Sequence, residues 1–508
     1  MFSGGFIATA LSALTGILIA RLLGPEQYGV YSLAFTIPGF LMVFTGFGVN
    51  SALTRYISSL YNGGKSSRLA SMIKTGVLFT VFESLLVFLL GYLFISELSR
   101  ILLGRPDLAD YSLILLPTII LQAVISASMG VLLGFSDALR VTYINIVQQV
   151  FRLIIAPLLV VVGFGLVGAL YGNTIAYGLA CIPALIYLYK YYVLIRDDNN
   201  NNEPTTKILL EMVSYGLPLY TSSVINALID TYRNALLARI ADDYTIGSFS
   251  AAFRFVTLIT IIMAPISTML FPAFSKLSSN REELRKMLVV SIKYSSILVV
   301  PAAVFYIIMS RELVAVLFGR DYLYLTPRYF SLLSVNYLYI AVGYMVLGSF
   351  FSGTGDTRVN LEASIIYAGL FTLLAIPLTS LLGVDGLVYS MIIGNGVSIL
   401  YSLYIVHRRY RAKPDYKSSL AILVASLVAG IPVYMASSTI NLVGVLSNLL
   451  KLMAGGLVYL LIYLTLLPLL GVLRREDLEF IVNAFSKIKP LKPLVILIAK
   501  YEEKLVKK

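Results

Sequence analysis

Tryptophan is absent from these 508 residues, and histidine and cysteine occur once each, as His407 and Cys181. That scarcity removes a His/Cys zinc site, a Cys–His nucleophile pair and any intramolecular disulfide. Charge is scarce as well: Asp, Glu, Lys and Arg make up 13% of the chain, against about 25% in an ordinary soluble domain. Hydrophobic residues reach 58%, and the mean hydropathy is +0.86. A soluble chain of this size could not hide so much apolar surface. An aqueous enzyme, a secreted disulfide scaffold and a disordered protein are therefore excluded, and an all-α integral membrane protein is expected.

Apolar runs long enough to cross a bilayer, about 17–25 residues each, lie near 2–20, 29–48, 70–95, 109–134, 142–163, 167–189, 212–237, 246–272, 288–309, 328–351, 360–382, 386–405, 418–437 and 451–471. Fourteen transmembrane helices are expected from them. The first run lacks a basic leader and a small-residue cleavage site, so it reads as a helix and not a signal peptide. The net charge is +13. With no basic soluble domain to carry it, nucleic acid is not an expected partner, and the excess is read as loop charge that sets topology. Connections after even-numbered spans hold 17 Lys and Arg, and those after odd-numbered spans hold 8. This bias places both termini in the cytoplasm and the chain in the cytoplasmic membrane, multi-pass.

An internal repeat is also visible. Arg21 at the end of span 1 and Gly29 at the start of span 2 are matched by Arg239 at the end of span 7 and Gly247 at the start of span 8, at an offset of 218. Arg140 and Arg358 open spans 5 and 11 at that offset, and Gly168 and Gly386 open spans 6 and 12. The turns containing Asp137 and Asp356 match at 219. Six spans separate the copies, so both run the same way through the membrane, as parallel repeats. The expected organisation is a six-helix lobe over 1–195, a cytoplasmic linker over 196–209, a second six-helix lobe over 210–410, two extra helices over 411–473, and an amphipathic cytoplasmic tail over 474–508. Two such bundles suit a transporter with alternating access.

Ionisable residues deep in a span usually face a cavity or a partner. Here they are Glu83, Arg152, Asp230, Arg233 and Arg254. Asn145, Gln148, Gln149 and Arg152 share one face of span 5 at i, i+3, i+4, i+7. Arg152 and Glu83 lie at similar depth, so either a buried Glu83–Arg152 pair or a cavity-lining Arg152 is expected. Asn226, Asp230 and Arg233 share a face of span 7, where Asp230 and Arg233 can neutralise each other at i, i+3. Arg254 has no carboxylate one turn away, which makes it the best candidate for a free charge. Asp137 and Asp356 read as turn and cap residues.

The segment Arg21-Leu22-Leu23-Gly24-Pro25-Glu26-Gln27-Tyr28-Gly29-Val30-Tyr31-Ser32-Leu33-Ala34 resembles the first-loop signature of the polysaccharide flippases, in the superfamily that includes multidrug exporters and lipid II flippases. Phe47–Tyr56 resembles the end of that family's second helix, and Gly348–Arg358 its tenth-to-eleventh helix turn. The resemblance runs over about residues 1–470. It implies two lobes that open alternately to each side and an isoprenoid-linked saccharide moved between leaflets. It implies no enzyme chemistry and no cofactor beyond coupling to Na+, H+ or the membrane potential. Saccharide-assembly enzymes and membrane lipids are the implied partners, and a monomer is expected. Lipid II flippases carry cavity arginines on the first and eighth helices. Arg254 matches the eighth by span alone, and the first helix has no buried arginine. A cation-coupled drug exporter and a non-transporting scaffold stay open as alternatives; three deep arginines against two carboxylates favour an anionic cargo.

Overall fold

The computed structural model describes residues 2–61, 66–195, 204–439 and 444–473. The 196–203 part of the expected linker and the expected tail from 474 lie outside the described residues. The first half contains α1 (Phe2–Ala34), α2 (Thr36–Met42), α3 (Val49–Tyr61), α4 (Ser66–Leu98), α5 (Ala109–Leu115), α6 (Pro117–Gly134), α7 (Ala138–Leu159) and α8 (Gly165–Ile195). The second contains α9 (Thr205–Ile240), α10 (Asp243–Val256), α11 (Ile259–Leu277), α12 (Arg281–Ile308), α13 (Ser310–Leu317), α14 (Thr326–Leu338), α15 (Val346–Thr354), α16 (Thr357–Leu382), α17 (Val384–Tyr410), α18 (Tyr416–Thr439) and α19 (Val445–Leu469). Strands are absent among the described residues.

Nine helical runs among the described residues are long and apolar enough to cross a membrane, or ten if one bent pair is a single span. The chain is an all-helical, multi-pass membrane protein. Two of the nine are interrupted by glycines with left-handed backbone. The run Ala138–Ile195 has 58 residues, which would measure roughly 87 Å as one straight helix. It is interrupted at Gly163 (φ 108°) and Gly165 (φ 53°), a left-handed backbone open to glycine at little cost. The run Gly4–Met42 is interrupted at Gly24 (φ 73°), directly before Pro25.

The expected span over 29–48 needs correction. Helix persists to Met42, then breaks, and α3 starts only at Val49. Gly46, Phe47 and Gly48 all have positive φ, which no continuous helix can contain. Hydropathy does not sense this break, because its residues are apolar.

The chain divides into two compact units. The first comprises residues 1–254 and 372–387, the second 255–371 and 388–508. The first unit is cored by Val49, Leu53 and Ile57 of α3, Met72 and Ile73 of α4, and Met212 of α9. Close helix crossings rest on glycine: a Cβ at Gly168 would lie 2.9 Å from the Leu159 carbonyl oxygen, and one at Gly386 2.0 Å from that of Leu378. Asp137 caps α7 by accepting from the Arg140 N–H, and it also accepts from the Tyr191 hydroxyl at 2.7 Å. Burial pushes its carboxyl up, but the hydrogen bonds of Tyr191 and Arg140 and the Arg140 charge outweigh that and hold it below the usual carboxylate range. In the second unit Asp356 pairs with Arg409 at 2.5 Å.

The second unit shows how a proline is kept inside a spanning helix. Pro301 lies within α12 and cannot donate to the carbonyl of Ile297, one turn earlier. In hydrocarbon an orphaned carbonyl is costly. The hydroxyl of Tyr463 on α19 donates to that oxygen at 2.9 Å, and Tyr459 donates to the Pro301 carbonyl at 3.0 Å. Tyr463→Phe is expected to cost about 1–2 kcal/mol, read as a lowered Tm in detergent. An unchanged Tm would show that the Ile297 oxygen finds another donor.

Candidate functional site

The first unit gathers a cationic cluster around two tyrosines of α1. Tyr28 and Tyr31 are fully buried, with ring centroids 5.7 Å apart and nearly parallel planes. Arg152 of α7 reaches the Tyr31 hydroxyl at 3.4 Å, and its Nε is buried without a hydrogen-bond partner. Arg254 of α10 lies along α1. A Cβ on Gly16 would be only 2.9 Å from its Cδ, so the glycine makes room for the arginine stem. Arg152 and Arg254, from two different helices, thus both meet α1, Arg152 at Tyr31 and Arg254 at Gly16. Arg254 is packed against Gly16 and is not the free charge expected of it.

The polar stripe on α7 faces inward. Gln148 is buried and Asn145, Gln149 and Arg152 are half-buried, while Tyr143, Phe151 and Ile154 on the other side are exposed. The Oε1 of Gln149 is buried and unpartnered.

Arg233 has a different environment. It pairs with Asp230 at 2.7 Å, as the i, i+3 spacing predicts, and lies over the Phe253 ring at 4.2 Å. Asp230 is 61% exposed at its side chain and Arg233 only 11%. Asn226 is exposed on the same helix. This arginine is neutralised by its own helix and held by stacking.

Glu83 does not pair with Arg152. Its Oε1 accepts from the Gly46 N–H at 2.5 Å, while Oε2 is buried without a partner. The reason lies in the break after α2. Three successive positive-φ residues leave backbone donors that no helix satisfies, and in hydrocarbon a donor must be met from within the protein.

Helix α9 is joined to the first half at both ends. Near its start Arg68 pairs with Glu211 at 2.8 Å, and a Cβ on Gly216 would lie 2.4 Å from the carbonyl of Gly48. Near its end Arg239 donates to the carbonyls of Ile101 and Leu102. Just beyond, Arg105 bridges Asp107 and Asp243 at 2.7 and 2.8 Å. There Gly29 and Gly247 meet: a Cβ on Gly29 would lie 3.0 Å from the Gly247 nitrogen, and one on Gly247 would lie 1.8 Å from the Pro25 oxygen. These two glycines are 218 residues apart.

Sequence reasoning passes over Tyr28 and Tyr31, because in a membrane protein without tryptophan a tyrosine reads first as an interfacial anchor. It also missed Asn173 on α8, which is 1% exposed with both side-chain polar atoms unpartnered. A lone amide in the apolar run over 167–189 was the available signal.

A family model described as "Polysaccharide biosynthesis protein" matches residues 18–327. An uncharacterised membrane protein of Methanocaldococcus jannaschii is 22% identical over 95% of this chain and 96% of its own. A protein of Haloferax volcanii, named as the probable low-salt glycan biosynthesis flippase Agl15, is 20% identical over 92% of this chain and 95% of its own. Among solved structures, the lipid II flippase MurJ in an inward closed conformation superposes with a TM-score of 0.74, at 20% identity, over 91% of this chain and 97% of that one. The fold is that of this solved structure.

Proposed function

The chain belongs to the polysaccharide biosynthesis protein family, and on that premise we propose that it is a membrane flippase for a lipid-linked saccharide precursor. The polar head of such a cargo must cross about 30 Å of hydrocarbon, while its isoprenoid tail can stay in lipid. The observation that carries this reading is the pair of arginines held against α1, Arg152 at the Tyr31 hydroxyl and Arg254 at Gly16, with the Arg152 Nε lacking a partner. Guanidinium forks suit a diphosphate, because each can donate two parallel hydrogen bonds. The two deep carboxylates do not offset this charge: Asp230 pairs with Arg233, and Glu83 accepts from the Gly46 backbone. That sign disfavours a cationic drug as cargo. No bond is broken in the transfer, so the chain needs no nucleophile, base or metal.

Fourteen crossings in two parallel lobes, both termini cytoplasmic, are the topology we assign. Three coincidences at the repeat offset support it. Gly29 and Gly247 meet each other. Gly168 and Gly386 each pack against the carbonyl of a leucine on the preceding helix. Tyr191 and Arg409, themselves 218 apart, each bind the aspartate of their own copy's turn. Movement proceeds by alternating access, in which the contacts at the two ends of α9 open in turn and the tyrosine–arginine cluster binds the head between them. Mass spectrometry of lipids that co-purify with the protein tests this. An isoprenoid phosphate or diphosphate saccharide is expected, retained by the wild type and reduced in Arg152→Ala. Transport of cationic drugs with no bound saccharide lipid would overturn it.

A further inference from the structure

The second unit has a groove of about 670 Å³ between α16 and α17, open to the surrounding apolar layer. Its walls include Ile365 and Ile366 on one helix and Leu400, Tyr401 and Tyr404 on the other, with Gly369 on its floor. A Cβ on Gly369 would meet nothing within 4 Å. Most glycines at helix crossings in this chain are there because a neighbour presses against them, and Gly369 has no such reason. A glycine inside a helix costs about 1 kcal/mol relative to alanine, and here its effect is to leave the space between the two helices open.

Both helices of the groove lead to arginine at the same end. They run antiparallel, so the start of α16 and the end of α17 lie together. Arg408 is one turn beyond Tyr404 and meets its hydroxyl at 3.4 Å. Arg358 is two turns before Ile365 and pairs with Glu362 at 2.9 Å, and Glu362 also accepts from the Tyr401 hydroxyl. Arg409 pairs with Asp356. The rim therefore holds three arginines against two carboxylates. An apolar slot ending in a cationic rim is complementary to a molecule with a hydrocarbon chain and an anionic head.

We propose that this groove holds one anionic phospholipid of the surrounding membrane, with its acyl chain over Gly369 and its phosphate at Arg408 and Arg358. In the topology assigned above, this is a lipid of the cytoplasmic leaflet. The proposal requires only that the chain spans a membrane, and it does not depend on the cargo.

Native mass spectrometry of the full-length protein in detergent, titrated with dioleoyl phosphatidylglycerol or dioleoyl phosphatidylcholine, tests it. The wild type should retain one phosphatidylglycerol, at least tenfold in preference to phosphatidylcholine. Gly369→Leu fills open space, so it should fold with unchanged or raised Tm while losing retention at least tenfold. Arg408→Ala should bind the two lipids equally. Arg254→Ala should retain phosphatidylglycerol as the wild type does, which separates this site from the cargo site. Equal retention of both lipids by the wild type, or undiminished retention by Gly369→Leu, would overturn the proposal. So would crosslinking of an isoprenoid-linked saccharide, in place of phospholipid, to residue 400.

Discussion

A single methyl group on Gly247 should stop transport. In the closed contact a Cβ there would lie 1.8 Å from the Pro25 oxygen and 2.9 Å from the Gly29 nitrogen. Those are backbone atoms, which cannot swing aside as the end of a long side chain can. Overpacking costs about 1–3 kcal/mol and occasionally more; against two backbone atoms the upper end applies, enough to lower the population of the closed state by ~100-fold. Gly247→Ala should therefore fold normally, stay open at that end and lose about two orders of magnitude in turnover. Accessibility checks the cause. Ser248 is fully buried beside the contact, so in the Gly247→Ala background a Ser248→Cys thiol should react much faster with a membrane-impermeant maleimide. The native Cys181 is buried, and its thiol donates to the Leu121 carbonyl, so it should contribute little background. Normal turnover by Gly247→Ala would show that this contact does not have to close during the cycle.

Arg254→Ala should have the second-largest effect. On the proposed function, the change removes a charge-assisted contact to a diphosphate head, worth about 1.5–3 kcal/mol. Transport or substrate binding should fall by one to two orders of magnitude while expression and folding hold. Arg254→Lys should rescue only in part, since a point charge replaces a planar fork. Gly16 adds a control. Because its missing side chain makes room for the Arg254 stem, Gly16→Ala should displace the guanidinium and reproduce part of the defect with the arginine still present. A variant of Arg254 that loses thermal stability but transports normally per folded molecule would show that the residue packs and does not recognise.

The membrane class was legible because apolar runs are a bulk property of the sequence. Asp137 was legible for a local reason: a turn aspartate three residues before an arginine can cap a helix, and it does. The break after Met42 was not. Gly46, Phe47 and Gly48 keep the run apolar while their positive φ values end the helix, and hydropathy carries no information about φ. The Glu83 partner was hidden for the same reason. Spacing can suggest that a carboxylate and Arg152 lie at one depth, but it cannot reveal a backbone N–H left bare by an unforeseen break. Tyr28 and Tyr31 stood inside the first-loop motif, yet a tyrosine in a tryptophan-free membrane protein reads first as an interfacial anchor.

The α12 proline has a consequence for how such chains can change. In a soluble protein, water solvates the carbonyl that a proline strands. In the bilayer the Tyr463 phenol of α19 takes water's place at Ile297. Helix α19 and Pro301 should then be gained or lost as a set. A chain that ends before Val445 should tolerate Pro301 poorly, and reverting Pro301 to alanine should be the substitution that restores such a truncated chain.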